Sequence, residues 1–315
     1  MPKSPSGGIL AALVSALFLG TAPIFGKLAI EGGFSPLLTV ALRTGLATLA
    51  LLILVSVFFR RFLYIHPLGL AGCGLAGTIN GAGSILYYLA LGRLDAGFGQ
   101  LLYSLYPFFV AFWLFLDHQP PSRLTMTRVA VATVAVIMLT SVPGANVDLP
   151  GVFLMLGAAV LYAMHLPINQ RVLYEVPAPT VTLYTLLAMS AVVFPAYLIF
   201  DRSWPGASAA WLPILGLSAV TFSSRLLLFL GIKRIGGMQT ALLGLAELIV
   251  TLLLSRVWLG ERLATLQWVG ALTLTVSLLL VYLEKTSRPS MPNSTGWLAW
   301  LRNQDLGKAL FGPFE

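Results

Sequence analysis

Charged side chains are scarce in this chain of 315 residues, since only 10% of them are Asp, Glu, Lys or Arg. An ordinary soluble domain carries about 25% charged and about 45–50% apolar residues, whereas 58% of this sequence is hydrophobic. A soluble protein of this size would not cover its surface with so few charges. The mean hydropathy of +0.89 and the apolar runs from end to end predict a polytopic membrane protein.

Cysteine is nearly absent, and so are the motifs of common enzymes. The single cysteine, Cys73, excludes a disulfide within the chain and any cysteine-based metal cage. It lies in an apolar, glycine-rich run, which indicates a small packing residue. The sequence has no HExxH motif, no Walker lysine loop and no serine elbow, and no cluster of carboxylates suited to a metal ion. We therefore expect no catalytic residues, no metal and no cofactor.

Basic residues outnumber acidic ones, 19 to 11, which gives a net charge of +8. They lie in the gaps between apolar runs rather than on one periodic face, so nucleic acid is not an expected partner. With the N-terminus inside, twelve of the 19 fall on the cytoplasmic side, four on the opposite side and three within the apolar runs. Because cytoplasmic loops carry an excess of Lys and Arg, we expect a multi-pass protein of the plasma (inner) membrane with both termini cytoplasmic.

Ten apolar runs are long enough to cross about 30 Å of hydrocarbon, which takes roughly 20 helical residues. They are Gly8–Ile30, Pro36–Phe58, Pro67–Leu91, Ala96–Leu116, Thr125–Val142, Pro150–Val172, Pro179–Phe200, Trp211–Ile232, Gly236–Leu259 and Ala264–Leu283. Short connections with turn and charge signals separate most of them. Strands of a membrane barrel would instead be about 10 residues of alternating polarity. The predicted fold class is an all-α membrane protein with ten transmembrane helices.

The chain also contains an internal repeat. Gly92-Arg-Leu and the run that follows resemble Lys233-Arg-Ile and its following run. We predict two five-helix repeats, at residues 8–142 and 150–284. An odd number of spans makes the second half enter the membrane from the opposite side, so these are inverted-topology repeats, which typically hold a substrate site near the midplane.

The remaining residues, 285–315, are predicted to form a cytoplasmic tail. Trp297, Trp300 and Leu301 would line one side of an interfacial helix. A poorly ordered tail fits this segment equally well.

Five short motifs carry a resemblance to a known family. They are Gly20-Thr-Ala-Pro-Ile-Phe-Gly-Lys27, Ser35-Pro-Leu, Ala41-Leu-Arg43, Leu245-Ala-Glu-Leu248 and Trp258-Leu-Gly-Glu-Arg262. Together with the two five-span halves, they resemble the drug/metabolite transporter (DMT) superfamily and specifically its EamA-type permeases. The last motif is the most typical, and the resemblance covers roughly residues 8–284. It implies ten spans in two halves and a permease function.

Polar side chains recur at helical spacing inside five of the predicted spans. Charges within a bilayer usually face a cavity or a partner. The expected substrate-binding residues are Asn80, Gln100, Tyr103, Tyr106, His165, Asn169, Arg225 and Glu247. The two tyrosines also fit core aromatics, and His165 fits either a proton carrier or a hydrogen-bonded structural residue. Arg43 is interpreted as structural, through carbonyl bonds or by snorkelling.

Arg225 and Glu247 lie at similar depth on sequential spans. At a rise of 1.5 Å per residue they are roughly 13 Å and 19 Å from the turn at Arg234. One interpretation is a static ion pair between them. The other is a binding site in which Arg225 receives a carboxylate or phosphate, while Glu247 holds an amine or exchanges a proton.

The expected function is secondary transport of small polar or amphipathic metabolites, such as amino acids or related solutes, by alternating access. No nucleotide-binding motif is present, so ATP is not the expected energy source. The expected partners are a small-molecule substrate and the lipid bilayer, with a coupling proton as a further candidate, and the protein is a monomer or a homodimer. The alternative is a membrane-embedded enzyme that acts on a lipid head group.

Overall fold

The computed structural model describes residues 5–118, 121–140, 148–206 and 209–258, and single short stretches beyond them: 260, 269–270, 272–273, 276, 296–298 and 301. All regular structure in this part of the chain is helical. The helices are α1 (Pro5–Glu31), α2 (Pro36–Phe58), α3 (Pro67–Leu91), α4 (Ala96–Tyr103), α5 (Tyr106–Leu116), α6 (Arg123–Thr140), α7 (Leu149–Leu173), α8 (Ala178–Phe200), α9 (Trp211–Ile235), α10 (Gly237–Gly244) and α11 (Ala246–Trp258), with a 3₁₀ turn at Arg60–Leu63.

Local capping explains where several helices begin. The side chains of Ser35 and His66 each accept a hydrogen bond at 3.1 Å from the backbone N–H three residues later. A proline follows each of them at the first helical position, where its fixed φ suits the helix and its missing N–H is not needed. The observed starts of α2 and α3, at Pro36 and Pro67, therefore coincide with the predicted ones.

Seven helical segments of the described chain are long and apolar enough to cross a membrane: α1, α2, α4 with α5, α7, α8, α9, and α10 with α11. The predicted third and fifth spans are also helical, as α3 and α6, but they are not among these seven segments. The predicted tenth span, Ala264–Leu283, lies almost entirely outside the described residues. The all-helical class is therefore observed, and the number of ten spans stays a prediction.

Two of the predicted spans are broken near their middle. The fourth divides into α4 and α5 at Ser104 and Leu105, and the ninth divides into α10 and α11 at Leu245. At each break a backbone N–H bonds the carbonyl three residues earlier at 3.3 Å, the tighter pattern of a 3₁₀ turn. The hydroxyl of Tyr106 joins the two breaks by donating to the carbonyl of Ala241 at 2.9 Å.

The two halves of the chain interlock rather than lie side by side. Helix α1 packs along α9 and α11, and α3 packs along α7 and α8. The approach of α1 to α11 needs a glycine, because a Cβ at Gly20 would lie 2.6 Å from the backbone oxygen of Glu247. Thr251 strengthens this contact by donating to the carbonyl of Gly20 at 2.8 Å.

Contacts between helix termini distinguish two ends of the bundle. At one end, which we call the tail end, Gly8 near the start of α1 packs against Ile235 at the end of α9. The ends of α5 and α7 meet at the same end through Asp117 and Arg171. At the opposite end, Lys27 near the end of α1 donates to the carbonyl of Leu91, the last residue of α3, at 3.2 Å.

The described residues of the predicted tail pack onto the tail end. Leu298 is 0% and Leu301 is 8% exposed, and the indole of Trp297 donates to the carbonyl of Trp113 on α5 at 3.3 Å. Leu298 and Leu301 share a hydrophobic cluster with Ala76 and other residues of α3 and α7. These described residues therefore pack against the bundle, while Trp300 and most of the predicted tail lie outside the described residues.

Candidate functional site

A cavity lies between the two halves of the chain, among residues of α1, α2, α3, α4, α7, α9 and α11. It is lined by Leu19, Ala22, Pro23, Arg43, Asn80, Gly83, Ser84, Tyr87, Tyr88, Gln100, Tyr103, Tyr162, Arg225 and Glu247. Its volume of about 50 Å³ admits about three or four water molecules and is well below the roughly 150 Å³ that holds a benzene-sized molecule. A substrate of amino-acid size therefore requires the surrounding helices to move apart.

Five of the eight residues predicted to bind substrate line this cavity: Asn80, Gln100, Tyr103, Arg225 and Glu247. They come from four different helices, two in each half of the chain. The two charged residues are deeply buried, with Arg225 5% and Glu247 3% exposed. Charged groups at such depth are costly unless a partner compensates them, so their partners are the informative feature of the site.

The guanidinium group of Arg225 is held by neutral partners. With the Asn80 amide turned so that its oxygen faces Arg225, that oxygen accepts from both terminal nitrogens of the guanidinium at 3.2 Å. The NH1 atom also lies 3.4 Å from Nε2 of His165, and the group lies 5.7 Å from the centre of the Tyr162 ring. The Nε atom has no hydrogen-bond partner among the described residues.

Glu247 has no cationic partner in the part of the chain that the structure describes. None of the ion pairs found there, within 4.0 Å, includes this residue. Gln100 lies against its carboxylate, but the Oε1 atom is buried without a hydrogen bond. The static Arg225–Glu247 ion pair considered from the sequence is therefore not formed in this conformation, and both residues face the cavity with unused hydrogen-bonding atoms.

Arg43 also lines the cavity, although the sequence predicts a structural role for it. Its NH2 atom donates to Oγ of Ser84 at 3.0 Å and its NH1 atom to Oγ1 of Thr221 at 3.4 Å, while its guanidinium lies 4.8 Å from the centre of the Tyr88 ring. It neither snorkels to the interface nor bonds carbonyls, because the bundle surrounds it and it is only 7% exposed. An arginine inside an apolar run is the signal that would have identified it.

Three predicted residues lie outside the cavity wall. His165 is fully buried, with Nδ1 on the carbonyl of Tyr162 and Nε2 on Arg225. If Nδ1 carries the proton, Nε2 accepts from the arginine, so His165 positions Arg225. Asn169 donates to the carbonyl of His165 at 2.9 Å and accepts from Thr185 of α8 at 3.3 Å. Tyr106 connects the two helix breaks, as described above.

Tyrosines form the remaining wall of the cavity. The ring centres of Tyr87 and Tyr103 are 4.9 Å apart, and those of Tyr103 and Tyr162 are 5.2 Å apart. The hydroxyl of Tyr87 donates to Oε1 of Gln100 at 3.1 Å, which fixes the amide beside Glu247. The sequence does not mark Tyr87 and Tyr88, because tyrosines near the end of a span are ordinary interfacial residues.

Within the described ranges, no group of three or more His, Cys, Asp or Glu side chains is placed to hold a metal ion. The site consists of two arginines, one glutamate, amides, hydroxyls and aromatic rings, which is a set suited to a small polar organic molecule.

Comparison with known proteins bears on the fold and the family. The fold is similar to that of a solved structure described only as "Crystal structure of protein", with a TM-score of 0.69 and 19% identity, over 89% of this chain and 99% of that chain. At this identity the likeness shows the fold alone. None of the curated proteins compared matches the sequence. The model of the EamA-like transporter family matches residues 6–141 and 149–283, one match in each half of the chain. Because these two matches cover most of its length, the chain is a multi-pass membrane protein that belongs to the EamA-like transporter family.

Proposed function

We propose that this protein is a secondary transporter that carries a small polar metabolite with a carboxylate group, of amino-acid type, by alternating access. The observation that carries the proposal is the pair of unpartnered atoms in one cavity, Nε of Arg225 and Oε1 of Glu247. Buried polar groups in proteins nearly always have hydrogen-bond partners. A substrate with both a hydrogen-bond acceptor and a hydrogen-bond donor would give each of these two atoms a partner.

Each residue suits one end of an amino acid. The guanidinium fork binds a carboxylate through two parallel hydrogen bonds, and Asn80 and His165 already hold it in place. Glu247 is placed to hold the ammonium group of the substrate or to exchange a coupling proton. The tyrosine rings supply apolar contact area together with hydroxyl groups.

We also propose that the two repeats, 8–142 and 150–284, have inverted topology within ten spans, with both termini cytoplasmic in the plasma (inner) membrane. The contacts at the helix ends support this. Helix α1 starts at the tail end, whereas α7 starts at the opposite end, where Gly151 packs against Leu94. The first helices of the two halves therefore run in opposite directions.

Single cysteines at Asp148 and Arg202 test the topology. The native Cys73 is fully buried and is replaced by alanine in the background. A membrane-impermeant maleimide added to intact cells is expected to label both positions. Labelling of either one only after the cytoplasmic side is made accessible would contradict the proposed orientation.

Solute flux into proteoliposomes tests the transport function. The purified protein is expected to move labelled amino acids across the membrane, and mass spectrometry is expected to recover them unmodified. Chemical conversion of the solute would instead favour the membrane-embedded enzyme. The double variant Arg225→Leu/Glu247→Leu is expected to abolish flux, with Arg60→Leu as the matched exposed control. Normal flux in the double variant would show that the pair is not the substrate site.

A further inference from the structure

Two arginines from different helices line the same cavity, Arg43 from α2 and Arg225 from α9. Both are more than nine-tenths buried. In each of them the Nε atom lacks a hydrogen-bond partner in the described part of the chain. Arg43 therefore shows the same unused donor that points to a ligand at Arg225.

The two guanidinium groups occupy successive levels of the cavity. Arg43 reaches Ser84 on α3 and Thr221 on α9, whereas the side chain facing Arg225 is Asn80. Asn80 lies four residues from Ser84 on α3, and Arg225 lies four residues from Thr221 on α9. Four residues correspond to about 6 Å along a helix. Measured between their contacts on α3, Ser84 and Asn80, the two cations are thus about one turn apart.

The charges of the cavity wall do not balance. Glu247 is its one carboxylate, against two arginines that stay protonated under all ordinary conditions. Neither arginine lies within 4.0 Å of a carboxylate in the described ranges. The empty wall therefore carries one positive charge in excess, or two when Glu247 is protonated. Excess charge at such depth calls for a compensating ion.

We infer that the substrate carries two acidic groups and one amine, as in an amino dicarboxylate, and that Arg43 binds its second acidic group. This inference rests on the proposed function and names the substrate class of the same site. A zwitterionic amino acid adds no net charge and would leave the excess in place. An amino dicarboxylate brings a net charge of −1, so that each arginine meets a carboxylate while Glu247 meets the ammonium group.

The dimensions of such a molecule fit the two levels. Carboxyl carbons separated by two or three further carbons lie about 4–5 Å apart, given C–C bonds near 1.5 Å. Each carboxylate then approaches one guanidinium, and the hydroxyls of Ser84 and Thr221 keep Arg43 turned toward the cavity.

The test compares L-glutamate, L-glutamine and glutarate as competitors of labelled flux and as stabilisers in thermal-shift measurements on the detergent-purified protein. L-glutamine has the same shape as L-glutamate without the second charge, and glutarate lacks the amine. For the wild-type protein we expect L-glutamate to bind about tenfold or more tightly than either of the others, the scale of a charged bidentate contact.

The Arg43→Gln variant is expected to lose the preference for L-glutamate over L-glutamine while it still binds L-glutamine through Arg225. Arg60→Gln, at an exposed position, is expected to keep the wild-type preference. Equal binding of L-glutamate and L-glutamine by the wild-type protein would overturn the inference and leave amino-acid transport standing, even if Arg43→Gln does not fold. Failure of all amino acids to bind or move would overturn the proposed function itself. Tighter binding of glutarate would overturn the role of the amine.

Discussion

The buried charges at the tail end and those of the cavity differ in how fully their hydrogen bonds are satisfied. At the tail end, Nε and NH2 of Arg171 both donate to Oδ2 of Asp117, at 3.1 and 2.7 Å, and the side chains are 3% and 1% exposed. The other carboxylate oxygen accepts from the backbone N–H of Leu298 at 3.1 Å. In the cavity, Arg225 and Glu247 are as deeply buried, yet each keeps an atom without a partner.

Under the proposed function, this difference separates a contact that holds the structure together from a pair of residues that binds a substrate. Asp117 links α5 of the first half to α7 of the second and to the C-terminal residues, so it closes the tail end. The cavity charges link no helices by ion pairs in the described chain. Burial alone would have ranked the two sets equally, whereas the hydrogen bonds distinguish them.

The largest expected effect on stability comes from breaking the Asp117–Arg171 ion pair. Asp117→Asn removes the carboxylate that accepts two hydrogen bonds from Arg171, and breaking a buried ion pair from one side costs about 3–5 kcal/mol. We expect a strongly lowered melting temperature in detergent. The control is Arg93→Gln, which removes a half-exposed surface pair with Asp148, and such pairs are worth about 0–1 kcal/mol. Similar melting temperatures for both variants would show that the buried Asp117–Arg171 pair stabilises the protein no more than a surface pair does.

Glu247→Gln is expected to affect transport and not stability. This variant keeps the shape of the side chain. It removes a buried carboxylate whose Oε1 has no hydrogen bond, but it also removes the one negative charge of the cavity wall. Because these two effects oppose each other, stability is expected to change little. Transport of an amine-bearing substrate is expected to fall about a hundredfold, on the scale of one hydrogen bond to a charged group. Flux assays and thermal denaturation of the same preparation measure both quantities. Glu175→Gln, at an exposed position paired with His66, serves as the control, and a loss of stability in Glu247→Gln would indicate a structural role.

Arg225→Lys is expected to have a smaller effect. Lysine preserves the charge but not the planar fork, so substrate affinity is expected to fall about tenfold while the yield of folded protein is retained. Competition flux measures the affinity, and size-exclusion chromatography measures the folded yield. Affinity equal to the wild type would show that the carboxylate is bound elsewhere.

A smaller loss of stability than that of Asp117→Asn is expected at Gly296, in the segment that bonds Asp117. This glycine has φ +108°, and a Cβ there would lie 2.5 Å from Oδ1 of Asp117. We expect Gly296→Ala to lower stability by about 1–3 kcal/mol, the usual range for a strained backbone position. Gly206 has open space around it, so Gly206→Ala is the matched control and is expected to change the melting temperature little.

The sequence predicts where the helices lie better than it predicts the contacts between them. Proline and cap residues at Ser35 and His66 act locally, so the starts of α2 and α3 follow from the sequence alone. The breaks at Leu105 and Leu245 do not, because the apolar pattern continues through both. They depend on a contact between distant segments, from Tyr106 to Ala241.

For the candidate site, too, the sequence predicts positions along the helices better than it predicts contacts between them. The rise of a helix gives the depth of Arg225 and Glu247 in the membrane. A charge inside an apolar run indicates a residue that faces a cavity. These two signals are enough to select Arg225 and Glu247 as residues of the cavity wall. Depth does not give the direction in which a side chain points across the bundle. Arg43 was therefore assigned a structural role, although its guanidinium reaches Ser84 and Thr221 in the cavity wall.

The small volume of the cavity has a consequence for the energetics of transport. A ligand that fits only when the helices separate binds with an apparent dissociation constant equal to its intrinsic constant divided by the fraction of expanded protein. Part of the interaction free energy therefore goes into the conformational change, and measured affinities are expected to be modest even for a well-matched substrate. The same coupling means that the substrate itself shifts the population toward the expanded state. A substitution that enlarges the resting cavity would tighten binding and, by removing that coupling, slow the transport cycle.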